Sequence, residues 1–245
     1  MTRPPRGQAR ALLIEAARSL VRRQGFAATS VDDLCAAAGV TKGAFFHHFA
    51  SKEALGVALV EDWTAMTGAM FAAHPYNALP DPLDRVFAYL DLRREILGQP
   101  IPDFSCVAGT TVQEVFESSA PMRQAAWASI TSGFDHVRGH LEAALADHPV
   151  PGVTADGLAH QFQVAVQGGI ILAKAAGDAG LAREAFDHLE RYLRLLFDRP
   201  VLGICVSDPT IRIIRHGKAW EITKSGWETG ANPVHSRLTG PVFAP

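Results

Sequence analysis

The sequence predicts an all-α protein of about nine helices, followed by an extension of different character. Three observations predict it. Apolar residues recur at three- and four-residue steps through most of positions 9–198. Ser, Thr, Gly and Pro stand where those runs begin and end. No convincing strand pattern precedes residue 200. With 48% apolar and 20% charged residues, the 245-residue chain has the material for a packed core.

The elements follow in order. Residues 1–7 form a basic arm. Ala9, Leu12, Leu13, Ala16, Ala17, Leu20 and Val21 then make one helical stripe, with Arg10, Arg18, Arg22 and Arg23 mostly off it and Gly25 as a stop. Ser30 caps a second helix, Val31–Ala38, and Asp33 three residues later suits a capping box. Gly39 ends it. Thr41 caps a third, Lys42–His48, and Ser51 a fourth that runs to about Ala73, before Pro75 and Pro80. Further helices are expected over 82–98, 104–118, 121–147, 154–177 and 181–198, with Pro121 suited to a first turn. In helix 154–177 the stripe is Leu158, Phe162, Val166, Gly169, Leu172 and Ala176, and Leu189, Leu193 and Leu196 make another in the last helix. Gly168-Gly169 costs about 1 kcal/mol per glycine relative to alanine, which close packing against another helix would offset. Beyond 200, residues 211–215 and 219–223 flank His216-Gly217-Lys218 and suit a small hairpin, and 225–245 suit a loosely ordered tail.

Charge divides the chain. Residues 1–52 carry +5, residues 53–199 carry −9 and residues 200–245 carry +2, within a total of −2. A basic head on an acidic body suggests a polyanionic partner for the head. Three scattered cysteines without a CxxC pair point to neither a disulfide framework nor a metal site, and to a reducing cytoplasm. The longest apolar stretch, near 164–176, is too short and too polar to span a bilayer, so no membrane partner is expected. No phosphate-loop, HExxH or GxSxG pattern appears, and no cofactor or enzymatic activity is expected.

Helix 31–38, the Gly39 turn and helix 42–48 have the size and punctuation of a helix-turn-helix. Such a motif places the N-terminal residues of its second helix against base edges in the major groove. Thr41, Lys42, Gly43 and Ala44 supply a leading turn of little bulk, with a lysine able to reach guanine or phosphate. Phe45 and Phe49, four apart, suit anchoring of that helix. His47, His48 and Lys52 can flank the groove, and the helix starts behind Ser30, Thr41 and Ser51 offer backbone N–H groups to phosphate.

The run Gly25-Phe26-x-x-Thr29-Ser30-Val31-x-x-Leu34 and then Ala38-Gly39-Val40-Thr41-Lys42-Gly43-Ala44-Phe45-Phe46-x-His48-Phe49-x-Ser51-Lys52-x-x-Leu55 resembles the tetracycline-repressor (TetR) family over about residues 9–60. The resemblance implies a homodimeric repressor of double-stranded operator DNA, released by an effector bound in its helical body. It carries DNA contact onto Lys42, Gly43, Ala44, His47, His48 and Lys52, with Thr29, Ser30 and Thr41 near the DNA backbone. It divides the chain into a DNA-binding domain over 1–52, an effector-binding and dimerisation domain over 53–199, and an extension over 200–245. The helices near 154–177 and 181–198 become the dimer interface, with packing inside one chain as the alternative. Phe46 departs from the tyrosine usual in the family, so one hydroxyl contact to phosphate is missing.

Bulky residues of the middle helices, Trp63, Met66, Met70, Phe104, Phe116, Trp127, Phe134 and Phe162, are candidates either for an effector pocket or for plain core. Cys106 stands near the start of an expected helix, where an N-terminus favours thiolate. The body resembles the electrophile-sensing branch that includes N-ethylmaleimide-type repressors. Cys106 is therefore either an electrophile or oxidant sensor with Lys174 as cationic neighbour, or an inert packed thiol. The competing function is a small-molecule or redox-sensing helical protein without specific DNA recognition. A thiol enzyme using Cys106 with His136 or His140 lacks any group to orient the pair.

Overall fold

The computed structural model describes residues 8–198, 210–215 and 218–223. The chain up to residue 199 forms one compact unit and residues 200–245 a second. The first unit is all-α, as its periodicity predicts: α1 (Ala9–Gln24), α2 (Val31–Ala38), α3 (Lys42–His48), α4 (Lys52–Ala72), a single 3-10 turn (Pro75–Ala78), α5 (Pro82–Ile96), α6 (Ile101–Phe104), α7 (Val107–Val115), α8 (Ala120–Asp147), α9 (Ala155–Ala176) and α10 (Gly180–Leu196). In the second unit, β1 (Thr210–Arg215) pairs antiparallel with β2 (Lys218–Thr223), Thr210 opposite Thr223 and Arg215 opposite Lys218. The expected arm over 1–7, the turn residues His216 and Gly217 and the tail over 225–245 lie outside the described residues.

The N-caps of α2, α3 and α4 form as their residue types dictate. Ser30 Oγ accepts from Asp33 N at 3.1 Å, and the Asp33 carboxylate accepts from Ser30 N at 2.9 Å, a closed capping box. Those hydrogen bonds from Ser30, side chain first, hold the Asp33 carboxyl below its ordinary value. Thr41 Oγ1 accepts from Ala44 N at 3.2 Å and Ser51 Oγ from Ala54 N at 3.0 Å. Gly39 takes the left-handed conformation at φ 65° that lets α2 stop in one residue.

One expected helix is divided. The 104–118 segment is the single turn α6, two extended residues, then α7. Ser105 and Cys106 have ψ of 134° and 123°, and Cys106 becomes the cap of α7, its Sγ accepting from Gly109 N at 3.4 Å. Pro102 in the first turn starts α6 early, and Ser105 Oγ closes it by donating to Ile101 O at 2.7 Å.

Three groups of buried side chains hold the unit together. The first joins Leu13, Ala17, Val21, Phe26, Leu34, Phe45 and Leu55 of the N-terminal helices to Val107, Ala108, Val115 and Met122 of α7 and α8. The second centres on Tyr89, Leu141, Phe162 and Leu193, the third on Phe104, Ile170 and Phe186. The apolar stripes expected at a dimer interface mostly face inward: Leu158, Phe162, Val166, Leu189 and Leu193 are buried within the chain. Gly169 lets α9 approach α10 closely, since a Cβ there would stand 3.2 Å from Ala182 Cα, whereas Gly168 faces open space. The apolar side chains left outside on these two helices are Val164, Ile171, Leu172, Tyr192 and Leu195.

Candidate functional site

Two sites emerge, one on the head and one beneath it. On the head, α3 is fixed by Phe45, which is fully buried, and Phe49, with ring centroids 5.9 Å apart. Its opposite face presents Lys42, Gly43, His47 and the half-buried Ala44 and His48. Lys42 Nζ lies 2.7 Å from Asp32 Oδ1, an exposed pair that DNA phosphate can displace at little loss. The two histidine rings stand edge to face at 5.0 Å. Phe46 is 55% exposed, so an apolar ring occupies this surface position. Ser30 and Thr41 hold the starts of α2 and α3 as caps on the exposed side.

Two residues expected near DNA are turned inward. Thr29 is 1% exposed and its hydroxyl donates to Gly25 O at 2.7 Å. Lys52 Nζ donates to Phe26 O at 2.9 Å, Ala27 O at 3.3 Å and Thr29 O at 2.8 Å, and lies 4.5 Å above the Phe26 ring. The loop between α1 and α2 has carbonyls without helical partners, and a nearby ammonium satisfies three of them. Burial pushes the Lys52 ammonium down from its ordinary value, against the pull of Glu114. From the other side of the loop, the Glu114 carboxylate accepts from Ala27 N at 2.6 Å. Thr29 and Lys52 therefore set the loop that aims α2 and α3.

Beneath the head lies a cavity of about 200 Å³. Trp63, Met66 and Met70 of α4, Phe104 of α6, and Cys106 line it, as does Arg22 from the last turn of α1. His136 of α8 and Gln163 and Gln167 of α9 add polar atoms. Five of the expected effector-pocket residues thus meet there: Trp63, Met66, Met70, Phe104 and Cys106. Trp127 does not; it is 59% exposed and packs edge-on against Phe134. Phe162 does not either, because it is buried against Tyr89 at 5.9 Å. Lys174 stands outside the lining. It donates to Thr110 Oγ1 at 3.1 Å, and burial pushes its ammonium down while the nearby Cys106 and Glu114 pull it up.

Arg22, Asp103, His136, Gln163 and Gln167 are cavity residues that sequence reasoning missed. Arg22 carries the strongest signal. Its Cζ sits 5.2 Å over the Trp63 ring, and burial pushes its guanidinium down from the ordinary value against the opposing pull of Asp103. His136 Nε2 pairs with Gly68 O at 3.2 Å, and Gln163 Nε2 donates to Ile130 O at 3.5 Å.

Comparison with known proteins agrees with this geometry. Residues 13–59 match the family described as bacterial regulatory proteins, tetR family. The transcriptional regulator AcuR of Cereibacter sphaeroides is 25% identical over 168 residues, 66% of this chain and 74% of that protein. The HTH-type transcriptional repressor NemR of Escherichia coli is 29% identical over 113 residues, 46% of this chain and 57% of that protein. A TetR-family transcriptional regulator from Agrobacterium tumefaciens superposes with a TM-score of 0.67 at 26% identity, over 75% of this chain and 97% of that one. The capped helix-turn-helix, the helical body beneath it and these likenesses agree: residues 13–59 form a DNA-binding region of the tetR family type, on a helical body with the fold of TetR-family transcriptional regulators.

Proposed function

We propose that the protein is a cytoplasmic, homodimeric repressor that leaves its operator when a small molecule or electrophile occupies the cavity. The observation that carries this is the position of the cavity: its wall includes Arg22 of α1 and a run of α4 from Trp63 to Phe71, the two helices that tie the head to the body, along with residues of α5, α6, α8 and α9. Residues 1–52 are the DNA-binding domain, 53–199 the effector and dimerisation domain, and 200–245 an extension. Operator contact is assigned to Lys42, Gly43, Ala44, His47 and His48, with Ser30 and Thr41 at the DNA backbone. Dimerisation is assigned to the outer faces of α9 and α10.

The test is a gel shift with the DNA upstream of the protein's own gene. Specific binding that weakens steeply with salt is expected, since phosphate contacts release counterions. Lys42→Ala together with His48→Ala should lower the affinity at least ~30-fold, each lost base or phosphate contact being worth about 1–3 kcal/mol. Specific binding unchanged in that variant would remove α3 from the interface. Absence of any specific binding would favour the sensing protein without DNA recognition.

Cys106 is assigned as the electrophile sensor within this function. It is half-buried in the cavity wall, and its electrostatic neighbours include the cations Arg22 and Lys174. An adduct on Sγ would also withdraw the acceptor that caps Gly109 N. Cys106→Ser should keep operator binding and lose release by a quinone in a reporter assay; an unchanged response would make the thiol an inert packing group.

A further inference from the structure

Among the described residues that line the cavity, Arg22 keeps two guanidinium nitrogens without a hydrogen-bond partner. We propose that the effector of this cavity is a small carboxylate with an apolar body, anchored by the Nε/Nη2 edge of Arg22. This deepens the effector-site reading given above and rests on it.

The Arg22 Nε and Nη2 atoms are both buried, and neither has a hydrogen-bond partner, so a ligand in the cavity meets that edge once the side chain turns toward it. The two N–H groups lie parallel on one edge of the guanidinium, the spacing that a carboxylate fills with two bonds. A neutral amide offers that edge a single acceptor oxygen and no negative charge. Buried charged donors left unmet are costly, so a position that keeps them suits an acceptor that arrives from outside. Asp103 supplies opposite charge without closing the edge: its Oδ1 is 4.0 Å from Nη2, beyond hydrogen-bond distance, and its side chain is mostly exposed. The Trp63 ring covers the face of the guanidinium and leaves its edge as the polar side.

Arg93 shows the contrast within the same wall. Its Nε and Nη2 both donate to Tyr89 Oη, at 2.9 and 2.6 Å, and its guanidinium lies 4.4 Å from the Phe71 ring centroid. That edge of Arg93 is already occupied. The same edge of Arg22 is not.

The remaining wall suits a small apolar body, with Met66, Phe104, Val166 and Ile170 among its residues. A cavity of about 150 Å³ accepts benzene, so about 200 Å³ accommodates a single ring or short chain bearing a carboxylate. The anchor also has a direct route to the head. Arg22 stands three residues before Gly25, where α1 ends, and the loop beyond runs to Ser30, the cap of α2. A carboxylate bound to Arg22 therefore pulls on a helix of the DNA-reading domain itself.

The experiment is isothermal titration calorimetry of the full chain with benzoate and butyrate, each against its neutral amide. Benzoate should bind at least tenfold more tightly than benzamide. Arg22→Gln should bring benzoate down to the level of benzamide, and Arg22→Lys, which keeps the charge but not the fork, should lose most of the preference. Circular dichroism checks that each variant is folded, and if Arg22→Gln is not, Arg22→Lys decides alone. Equal binding of acid and amide, no binding of either acid, or a preference that survives in the folded variants would overturn the proposal. The gel shift without effector is independent of it. Specific operator binding without a carboxylate preference sinks only the ligand class; a preference without operator binding sinks the repressor function.

Discussion

Phe45→Ala is expected to abolish operator binding and to lower the unfolding free energy by about 3–5 kcal/mol, the usual cost of emptying a large aromatic site in a core. Phe45 is fully buried, touches Phe49, and belongs to the group of side chains that joins α1, α2 and α3 to α7 and α8. Helix α3 has seven residues, too few to persist in water without packing. Lys42, Gly43 and His48 hold their places only through that anchor. Urea unfolding followed by circular dichroism, beside a gel shift, measures both effects. Phe46→Ala is the control: its ring is 55% exposed and should contribute little to stability. Retained operator binding in Phe45→Ala, with a loss below about 1 kcal/mol, would mean that α3 is not held by this core.

Leu172→Glu combined with Leu195→Glu is expected to yield a folded monomer whose operator affinity falls by about 100-fold or more. Leu195 is 78% exposed and Leu172 54%, yet both are large and apolar. Val164, Gly168 and Leu172 follow one another at four-residue steps on α9, and the glycine between them faces open space. That line is shaped to let a second helix come close. Burying it in a partner would stabilise a dimer, whereas a pair of carboxylates there would have to be buried unpaired. A helix-turn-helix dimer reads two half-sites together, and a monomer forfeits the linkage between them. Sedimentation velocity gives the mass and circular dichroism the helicity. A variant that remains dimeric would move the interface elsewhere.

What was legible in the sequence was what is local. Ser30 with Asp33, Thr41 with Ala44 and Ser51 with Ala54 act across three residues, so their caps follow from residue type alone. Phe45 and Phe49 follow from a four-residue step. The break at Ser105 and Cys106 was not legible, because Phe104, Ala108, Thr111 and Val115 continue a helical period across it. The +5 of residues 1–52 is not all free to face DNA, because distant partners engage part of it. Arg18 pairs with Asp62 at 2.7 Å, Arg22 packs on Trp63 near Asp103, and Lys52 serves three carbonyls more than twenty residues away. The same limit explains Thr29, Trp127 and Phe162: nothing near them in sequence says which side of the helix or loop is covered. The apolar stripe on α9 follows from its period, but period alone does not say whether the chain's own helices or another copy will bury it.

Helix α4 begins at Lys52, where the boundary between head and body is proposed, capped by Ser51 at one end and bearing Trp63, Met66 and Met70 at the cavity. It behaves as a rigid lever of about 28 Å between Ser51 and Met70, at 1.5 Å per residue. A pivot of roughly 5° at the cavity end then displaces the head by about 2–3 Å, and two heads by about 5 Å, against a half-site separation of about 34 Å. That exceeds the rise of one base pair, about 3.4 Å. Under the function proposed above, release from DNA requires no hinge or unfolding step: the length of one continuous helix would convert a ligand-sized change of angle into a mismatch of register.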